Sequence, residues 1–186
     1  MEKPLFNYDN HSLREIPQDP EALKQFILEL KMKLKSSTST LATVQLLGEV
    51  GVHLRILLEL NEAEEALLKA IELINNHNLD VKTRIQQEIR LAHVYQWKKD
   101  FQKSNKIFEQ VIENCYNNIE AQSYLDFALQ HCGKNFFDQT RYQEALDCFK
   151  KSLLIRIEKK SPVDQIASTQ QALRETKKRL GLQENE

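Results

Sequence analysis

The chain has 186 residues, of which 41% are hydrophobic and 28% charged, and its 26 basic and 27 acidic residues leave a net charge of −1. This balance lacks the basic excess with which proteins bind the phosphates of nucleic acid. No apolar run approaches the roughly 20 residues of a membrane-spanning helix, and Met1–Leu5 lacks the apolar core of a signal peptide. Three cysteines without CxxC spacing disfavour a disulfide framework or a zinc ribbon. We expect a cytoplasmic protein with reduced thiols that binds neither nucleic acid nor membranes.

The first predicted element follows a polar arm. Residues 1–18 lack any periodicity, so we expect a flexible arm there. Asp19–Glu21 then has the pattern of a helix start, with an N-cap acid, a first-turn proline and an acid near the positive end of the helix dipole. Leucine and isoleucine at helical spacing carry this first helix to about Lys35. The polar run Ser36–Thr40 ends it.

The rest of the chain is predicted to form helices in pairs. No proline interrupts Glu21–Ser161, which permits unbroken helices joined by short turns. A final helix is expected over residues 162–180, with Gly181 as its C-terminal cap and residues 182–186 as a tail. Its mostly polar later half suits a lid on an open helical array. We therefore predict a single repeat domain over residues 19–181, with repeats at about 43–77, 79–116 and 118–159.

A motif that recurs three times relates these helix pairs to one another. Each copy centres on a small residue in the second helix of a pair, at Ala66, Ser104 and Ala145, which gives spacings of 38 and 41 residues. Three positions before this residue stand Ala63, Phe101 and Tyr142, and nine positions before it stand Leu57, Tyr95 and Phe136. Four positions after it stand Ala70, Phe108 and Phe149. A repeat of this size indicates an array of helical hairpins rather than one globular core.

These hairpins resemble the tetratricopeptide repeat (TPR). Gly133 and Ala92 stand where that family prefers a small residue for close helix contact, and Leu54 holds the place in the first repeat. The usual repeat has 34 residues, so the longer spacings resemble those of kinesin light chain and related bacterial repeat proteins. Three segments look like the turn and the start of the family's second helix: Leu60–Ala66, Lys99–Ser104 and Thr140–Ala145.

The resemblance implies an all-α fold, a right-handed α-α superhelix of three TPR-like hairpins with flanking helices at both ends. It also implies a non-enzymatic scaffold or adaptor that binds a protein or peptide in a concave groove. Two further functions are open at this point. One is a regulatory receptor whose curvature changes when a peptide binds, and the other is a secretion-type chaperone that holds an unfolded client.

In this family the first helix of each hairpin lines the groove. Because Arg55, Arg90 and Lys134 are cationic and no groove position is acidic, we expect an acidic or C-terminal peptide segment as ligand. The alternative is a solvated helix face whose charges do nothing specific. One subset of the family grips a terminal carboxylate with lysine and asparagine, and the matching positions here hold other residue types. The predicted groove residues are Arg55, Ile89, Arg90, His93, Phe127, Gln130, His131, Lys134 and Phe137.

Other candidate chemistry is weaker. His53, His93 and His131 recur about once per repeat, but neighbouring helix axes lie about 8–10 Å apart, whereas zinc needs every nitrogen within about 2.1 Å. Cys132 adjoins His131, yet adjacent helical residues do not face each other, so it is interpreted as a small core residue. Gly48 and Gly51 lie inside a helix, which indicates a tight helix crossing or a close partner. No catalytic motif is visible, so we expect no metal, cofactor or enzymatic activity.

Overall fold

The computed structural model describes residues 3–182, so the predicted tail lies outside the described residues apart from Leu182. Eight α-helices follow one another along this part of the chain, and a single 3₁₀ turn, Gln122–Tyr124, precedes the sixth. The helices are α1 Pro20–Lys35, α2 Thr40–Ile56, α3 Leu60–Asn76, α4 Val81–Trp97, α5 Phe101–Asn117, α6 Leu125–Asp138, α7 Tyr142–Glu158 and α8 Val163–Arg179. None of these eight helices is long and apolar enough to cross a membrane.

Part of the predicted flexible arm forms a small antiparallel hairpin. Strand β1, Phe6–Tyr8, pairs with strand β2, Glu15–Pro17, so that Phe6 lies opposite Pro17 and Tyr8 opposite Glu15. The hairpin leaves no recognisable sequence pattern, because strands of three residues are too short to show the period-two alternation by which a strand is predicted.

The predicted ends of the flanking helices are confirmed. The Asp19 carboxylate accepts hydrogen bonds from the backbone N–H groups of Glu21 at 2.9 Å and Ala22 at 3.0 Å, and so caps α1. After α8, Gly181 has a φ of 69°. Glycine adopts this left-handed conformation without steric cost, which is why it commonly ends a helix.

The described chain folds as two compact units. The first comprises residues 3–8 and 15–104, and the second comprises residues 9–14 and 105–182, so the division falls within α5. Val44, Leu47, Ala70 and Ile74 form one apolar cluster of the first unit. In the second unit a cluster combines the turn residue Leu13 with Phe137, Ala145, Leu146, Phe149, Ala172 and Leu173. The single repeat domain over residues 19–181 stays a prediction.

The helices recur at a constant interval of 41 residues. The second helices α3, α5 and α7 begin at Leu60, Phe101 and Tyr142. The turn before each of them contains a residue with positive φ, namely Leu58 at 66°, Lys99 at 61° and Thr140 at 61°. The first helices follow the same interval, because α2, α4, the 3₁₀ turn before α6, and α8 begin at Thr40, Val81, Gln122 and Val163.

This interval corrects the alignment of the first repeat by about one helical turn. The fully buried small residue that matches Ser104 and Ala145 is Ala63, whereas Ala66 is only partly buried. The sequence alone could not separate the two alanines, because residues three apart lie on the same side of a helix. The spacing of 38 residues inferred from Ala66 is therefore replaced by one of 41.

The same correction moves the site of close helix contact from Leu54 to Gly51. A Cβ atom on Gly51 would lie 2.6 Å from Cγ of Leu67, and one on Gly133 would lie 2.6 Å from Cε1 of Phe149. Gly51 and Gly133 are two repeats apart, and so are Leu67 and Phe149. The tight helix crossing predicted at these glycines is therefore confirmed, and it recurs in equivalent places.

Candidate functional site

In the first unit, the predicted groove residue Arg55 is covered by the N-terminal hairpin. Its side chain is 4% exposed, and Nη1 donates to Oε2 of Glu15 in β2 at 3.2 Å. The guanidinium carbon also lies 4.3 Å from the ring centre of Trp97 at the end of α4. A buried guanidinium is costly without a counter-charge, so Glu15 compensates Arg55. Glu15 was not among the predicted site residues, because the pair joins positions 40 residues apart.

The hairpin packs against α2 through one of its two faces. The ring centres of Phe6 and His53 are 6.2 Å apart, and that of Phe26 in α1 lies 5.0 Å from His53. Phe6 and Glu15 belong to non-adjacent cross-strand pairs, so their side chains share a face of the hairpin. Ile16 belongs to the intervening pair and is 50% exposed. We call the surface beneath the hairpin, formed by His53, Arg55 and Trp97, the Arg55 face.

Arg90 of α4 is also paired within the chain, but it remains more accessible. Its Nη2 donates to Oε1 of Glu49 in α2 at 2.6 Å, and its side chain is 18% exposed. Gly48 makes room for this arrangement, since a Cβ there would lie 2.1 Å from both Nη1 of Arg90 and Oε1 of Gln87. Arg55 and Arg90, both predicted groove cations, therefore have acidic partners in the folded chain.

The remaining predicted residues of the second repeat are packed rather than open. Ile89 and His93 are both buried. The His93 ring meets Trp97 edge-on, with 6.0 Å between ring centres and 89° between ring planes. Neither side chain offers a free surface in this conformation.

In the second unit, α6 carries the other five predicted residues, in differing environments. Phe127 is partly exposed, with its ring 5.2 Å from the guanidinium carbon of Arg156. His131 is partly exposed and Lys134 is buried. Phe137 lies in the core cluster of the unit, 5.3 Å from Tyr142 between ring centres, so its ring is covered by residues of this chain.

Gln130 has an unusual environment among these residues. Its side chain is 3% exposed, and neither Nε2 nor Oε1 has a hydrogen-bond partner among the described residues. A buried amide without partners costs about 1–3 kcal/mol. Such a cost is offset when a bound group or a water molecule supplies the missing hydrogen bonds.

A buried ionic cluster joins α6, α7 and α8, and the sequence analysis did not predict it. Asp126 accepts from Nε of Arg156 at 3.1 Å and from Nζ of Lys159 at 2.6 Å. Arg156 also donates to Oγ1 of Thr169 at 2.6 Å and to the carbonyl of Gln165 at 2.8 Å. One repeat earlier, the positions of Asp126 and Arg156 hold the buried apolar residues Ile85 and Cys115. The cluster therefore has a structural role in this repeat.

The three thiols differ in environment, because a hydrogen bond with Cys132 lowers the pKa of Cys148, whereas the pKa values of Cys115 and Cys132 are raised. Burial raises the pKa of Cys115 to about 11. A hydrogen bond with Cys148, followed by burial, raises the pKa of the Cys132 thiol. Both effects disfavour the nucleophilic thiolate, which agrees with the interpretation of Cys132 as a core residue. Among residues 3–182, no group of three His, Cys, Asp or Glu side chains is arranged to hold a metal ion.

Acidification is expected to weaken the first unit through His53. Burial lowers its pKa below the ordinary value of 6.5, although Nδ1 donates to the Glu49 carbonyl at 2.7 Å and the Glu49 charge favours protonation. The charges of Arg90 and Arg55, like burial, lower the pKa of His53. His53 thus binds a proton more readily in the unfolded chain than in the folded one. Its contribution to the free energy of unfolding is complete above pH 6.5 and is lost as the pH falls toward the pKa of His53 in the folded chain.

Urea unfolding at about pH 7.5 and about pH 5.5 measures this effect. His53→Gln should lose less stability between the two pH values than the wild type does. His77→Gln, at the exposed end of α3, is the matched control. An equal loss in wild type and His53→Gln would contradict the assignment.

Comparison with solved structures establishes the fold. Two crystal structures of nearly identical TPR-like repeats, from a Podosopora anserina protein assigned to the kinesin light chains, resemble this chain. One has a TM-score of 0.56 at 17% identity, covering 87% of this chain and 77% of that one. A point variant of the same protein has a TM-score of 0.57 with the same identity and coverage. No protein-family model and no curated protein sequence matches the chain. The predicted all-α fold of successive TPR-like hairpins is therefore confirmed.

Proposed function

We propose that this protein is a non-enzymatic interaction scaffold whose first helices α2 and α4 bind an extended acidic segment of a partner protein. The fold supports the general part of this proposal, because stacked helical hairpins expose long surfaces suited to extended ligands. The pairing of Arg55 with Glu15 supports the finer part. In that contact, a carboxylate on an extended strand lies against a predicted groove cation.

The chemistry of the Arg55 face suits such a ligand. A guanidinium offers a rigid fork of donors that matches a carboxylate. Trp97 beneath the guanidinium adds a flat apolar surface. His53 contacts the ring of Phe6, which lies on the same face of the hairpin as Glu15. An extended strand presents alternate side chains to one side. A peptide with an aromatic and an acidic residue on one face can therefore contact both His53 and Arg55.

Residues outside the hairpin contacts add support. Arg90 is the more accessible of the two paired arginines, and its partner Glu49 is 43% exposed, so a ligand carboxylate can compete for Arg90 in water. The predicted receptor and secretion-chaperone functions have no such contact in their favour, and the cytoplasmic location stays a prediction.

Selection from a random peptide library tests the proposal. A library of extended peptides displayed on phage is panned against the immobilised full chain, and enriched sequences are resynthesised for affinity measurement. We expect acidic peptides that bind Arg90→Gln about tenfold more weakly than the wild type, the effect of losing one charge-assisted hydrogen bond. Lys69→Gln, an exposed substitution on the second helix α3, is the matched control and should bind like the wild type. Enrichment without acidic residues, or equal affinity for Arg90→Gln, would overturn the acidic-ligand proposal.

A further inference from the structure

We infer that Cys132 and Cys148 form an oxidation site, at which hydrogen peroxide joins the two sulfurs in a reversible disulfide bond between α6 and α7. Cys148 is the thiol that reacts with the peroxide, and Cys132 is the thiol that then closes the bond. The inference concerns the second unit and goes beyond the proposed function, because neither thiol belongs to the proposed binding surface.

The two thiols lie at a tight crossing of α6 and α7. Cys132 directly precedes Gly133, and Cys148 directly precedes Phe149. A Cβ atom on Gly133 would lie 2.6 Å from Cε1 of Phe149, so the missing side chain allows the two helices to approach each other closely. The two thiols are hydrogen-bonded to each other across this crossing. A rotation of their side chains is the movement needed to bring the sulfurs to the bonding distance of about 2.05 Å.

The other repeats show that packing alone does not require thiols at these two positions. The interval of 41 residues relates Cys132 and Cys148 to two earlier pairs, Leu91 with Ile107 and Val50 with Ala66. In each pair the first-helix residue is buried and the second-helix residue is partly buried, as in the cysteine pair. Apolar side chains therefore fill the same place elsewhere, and the third repeat differs in carrying two sulfurs that can react with each other.

Exposure and hydrogen bonding assign different roles to the two thiols. Cys132 is 3% exposed, whereas Cys148 is partly exposed, so a small oxidant reaches Cys148 first. The Cys132 thiol donates to the sulfur of Cys148 and so lowers the pKa of Cys148, and the charge of Lys151 acts in the same direction. Burial and the charges of Asp147 and Glu144 oppose this effect. Because oxidation follows thiolate character and exposure, Cys148 is the thiol that reacts with peroxide.

The reaction takes place in two balanced steps. In the first step the Cys148 thiolate attacks one oxygen of hydrogen peroxide, the O–O bond breaks, and the second oxygen leaves as hydroxide and is protonated to water. Cys148 is then a sulfenic acid. In the second step the sulfur of Cys132 loses its proton and attacks the sulfur of Cys148, and the S–O bond breaks as the hydroxyl group leaves with a proton as water. The two sulfurs together lose two electrons, and the peroxide gains them.

The product is a covalent link between the two helices of the last hairpin. A disulfide restricts the unfolded chain, so the bond stabilises α6 and α7 against unfolding. A thiol reductant reverses it by attack on one of the two sulfurs. The link therefore persists only while peroxide exceeds the available reductant.

The third cysteine of the chain provides an internal comparison. Cys115 is fully buried, and burial raises the pKa of its thiol to about 11. One unit of pKa changes the thiolate fraction about tenfold. In the folded protein, brief labelling with iodoacetamide should therefore modify Cys148 at least about tenfold faster than Cys115.

The test counts free thiols before and after oxidation. The reduced full-length protein is treated with hydrogen peroxide, catalase removes the excess, and the chain is then unfolded in urea with a maleimide that labels every free thiol. We expect the mass of the oxidised chain to show the loss of two hydrogen atoms and a single maleimide, whereas the reduced chain takes up one on each of its three cysteines. Chymotrypsin cleaves after Tyr116 and Tyr124 and so separates Cys115 from the linked peptides. Dithiothreitol should restore all the thiols.

Variants taken from the first repeat test the two roles without disturbing the packing. Cys132→Val and Cys148→Ala introduce the residue types of Val50 and Ala66, and circular dichroism confirms that each variant keeps its helices. In Cys132→Val, the sulfenic acid on Cys148 forms more slowly, because its hydrogen-bond donor is absent, but it persists and is labelled by dimedone. In Cys148→Ala, dimedone should not label Cys132. Cys115→Ala is the matched control and should form the disulfide as the wild type does.

Several results would overturn the inference. The first is a folded wild type that keeps all its thiols at a peroxide concentration that oxidises the same chain in urea. The second is a disulfide that includes Cys115 or that joins two chains, seen on a gel without reductant. The third is a wild type in which Cys148 becomes a sulfinic acid while Cys132 stays free. None of these results bears on peptide binding, so the scaffold proposal is tested separately.

Discussion

An Asp126→Leu variant is expected to lose about 3–5 kcal/mol of unfolding free energy. Asp126 is fully buried and accepts from both Arg156 and Lys159. Without its carboxylate, the buried guanidinium of Arg156 loses the counter-charge of Asp126, and removing one partner of a buried pair costs more than the pair itself contributes. Urea unfolding, followed by circular dichroism, measures the loss.

The preceding repeat supplies the control for this prediction. There the equivalent positions hold Ile85 and Cys115, so an Asp126→Ile, Arg156→Met double variant replaces the ion pair with apolar side chains. Such replacements are often neutral or stabilising, and the double variant should recover most of the stability that Asp126→Leu loses. Lys159 can turn toward solvent, since its side chain is 38% exposed. If the single variant were as stable as the wild type, the ionic cluster would have no structural role.

A Gly133→Val variant is expected to lose at least about 1–3 kcal/mol, the usual cost of overpacking a core. Even a Cβ atom at this position would lie 2.6 Å from Phe149 Cε1 and 2.8 Å from Cδ1. The aromatic ring is rigid and fully buried, so α6 and α7 must move apart to accept the added atoms. Thermal and urea unfolding of the variant measure the effect.

Gly48→Ala is the matched control, since it also adds a Cβ inside a first helix. The atoms that this Cβ would meet are the ends of the flexible Arg90 and Gln87 side chains, which can move at little cost. Alanine is also favoured over glycine inside a helix by about 0.5–1 kcal/mol. We therefore expect Gly48→Ala to change stability little, and a loss as large as that of Gly133→Val would contradict the packing explanation.

The fold was predictable because its signals are local and repeated. Asp19 and Gly181 cap α1 and α8 through groups within a few residues, so the sequence pattern identifies them directly. The buried stripes recur at helical spacing, and three similar copies reinforce one another. The first repeat was misaligned because Ala63 and Ala66 are both alanines one turn apart, and the choice between them depends on which one faces a neighbouring helix.

The candidate site was only partly predictable. The positions of the first-helix residues followed from the repeat, but their partners did not. Arg55 and Arg90 were expected to face an external ligand, and each has an acidic partner from this chain. Phe137 was predicted to line the groove, and it lies in a core cluster with Leu13 from the hairpin turn. A helical pattern specifies which side of a helix is apolar, and it says nothing about which distant segment covers that side.

The helices, the caps of α1 and α8, the pairing of helices in hairpins and the similarity to a family of folds follow from the amino-acid sequence alone. Each of these depends on interactions between residues close in the chain or on a pattern that repeats. The register of the first repeat, the docking of the hairpin on Arg55 and the pairing of Asp126 with Arg156 depend instead on contacts between residues that are distant in the chain. The two ion pairs join residues 40 and 30 positions apart, and no local preference selects such partners. They are selected because a charge buried by folding must find an opposite charge within reach.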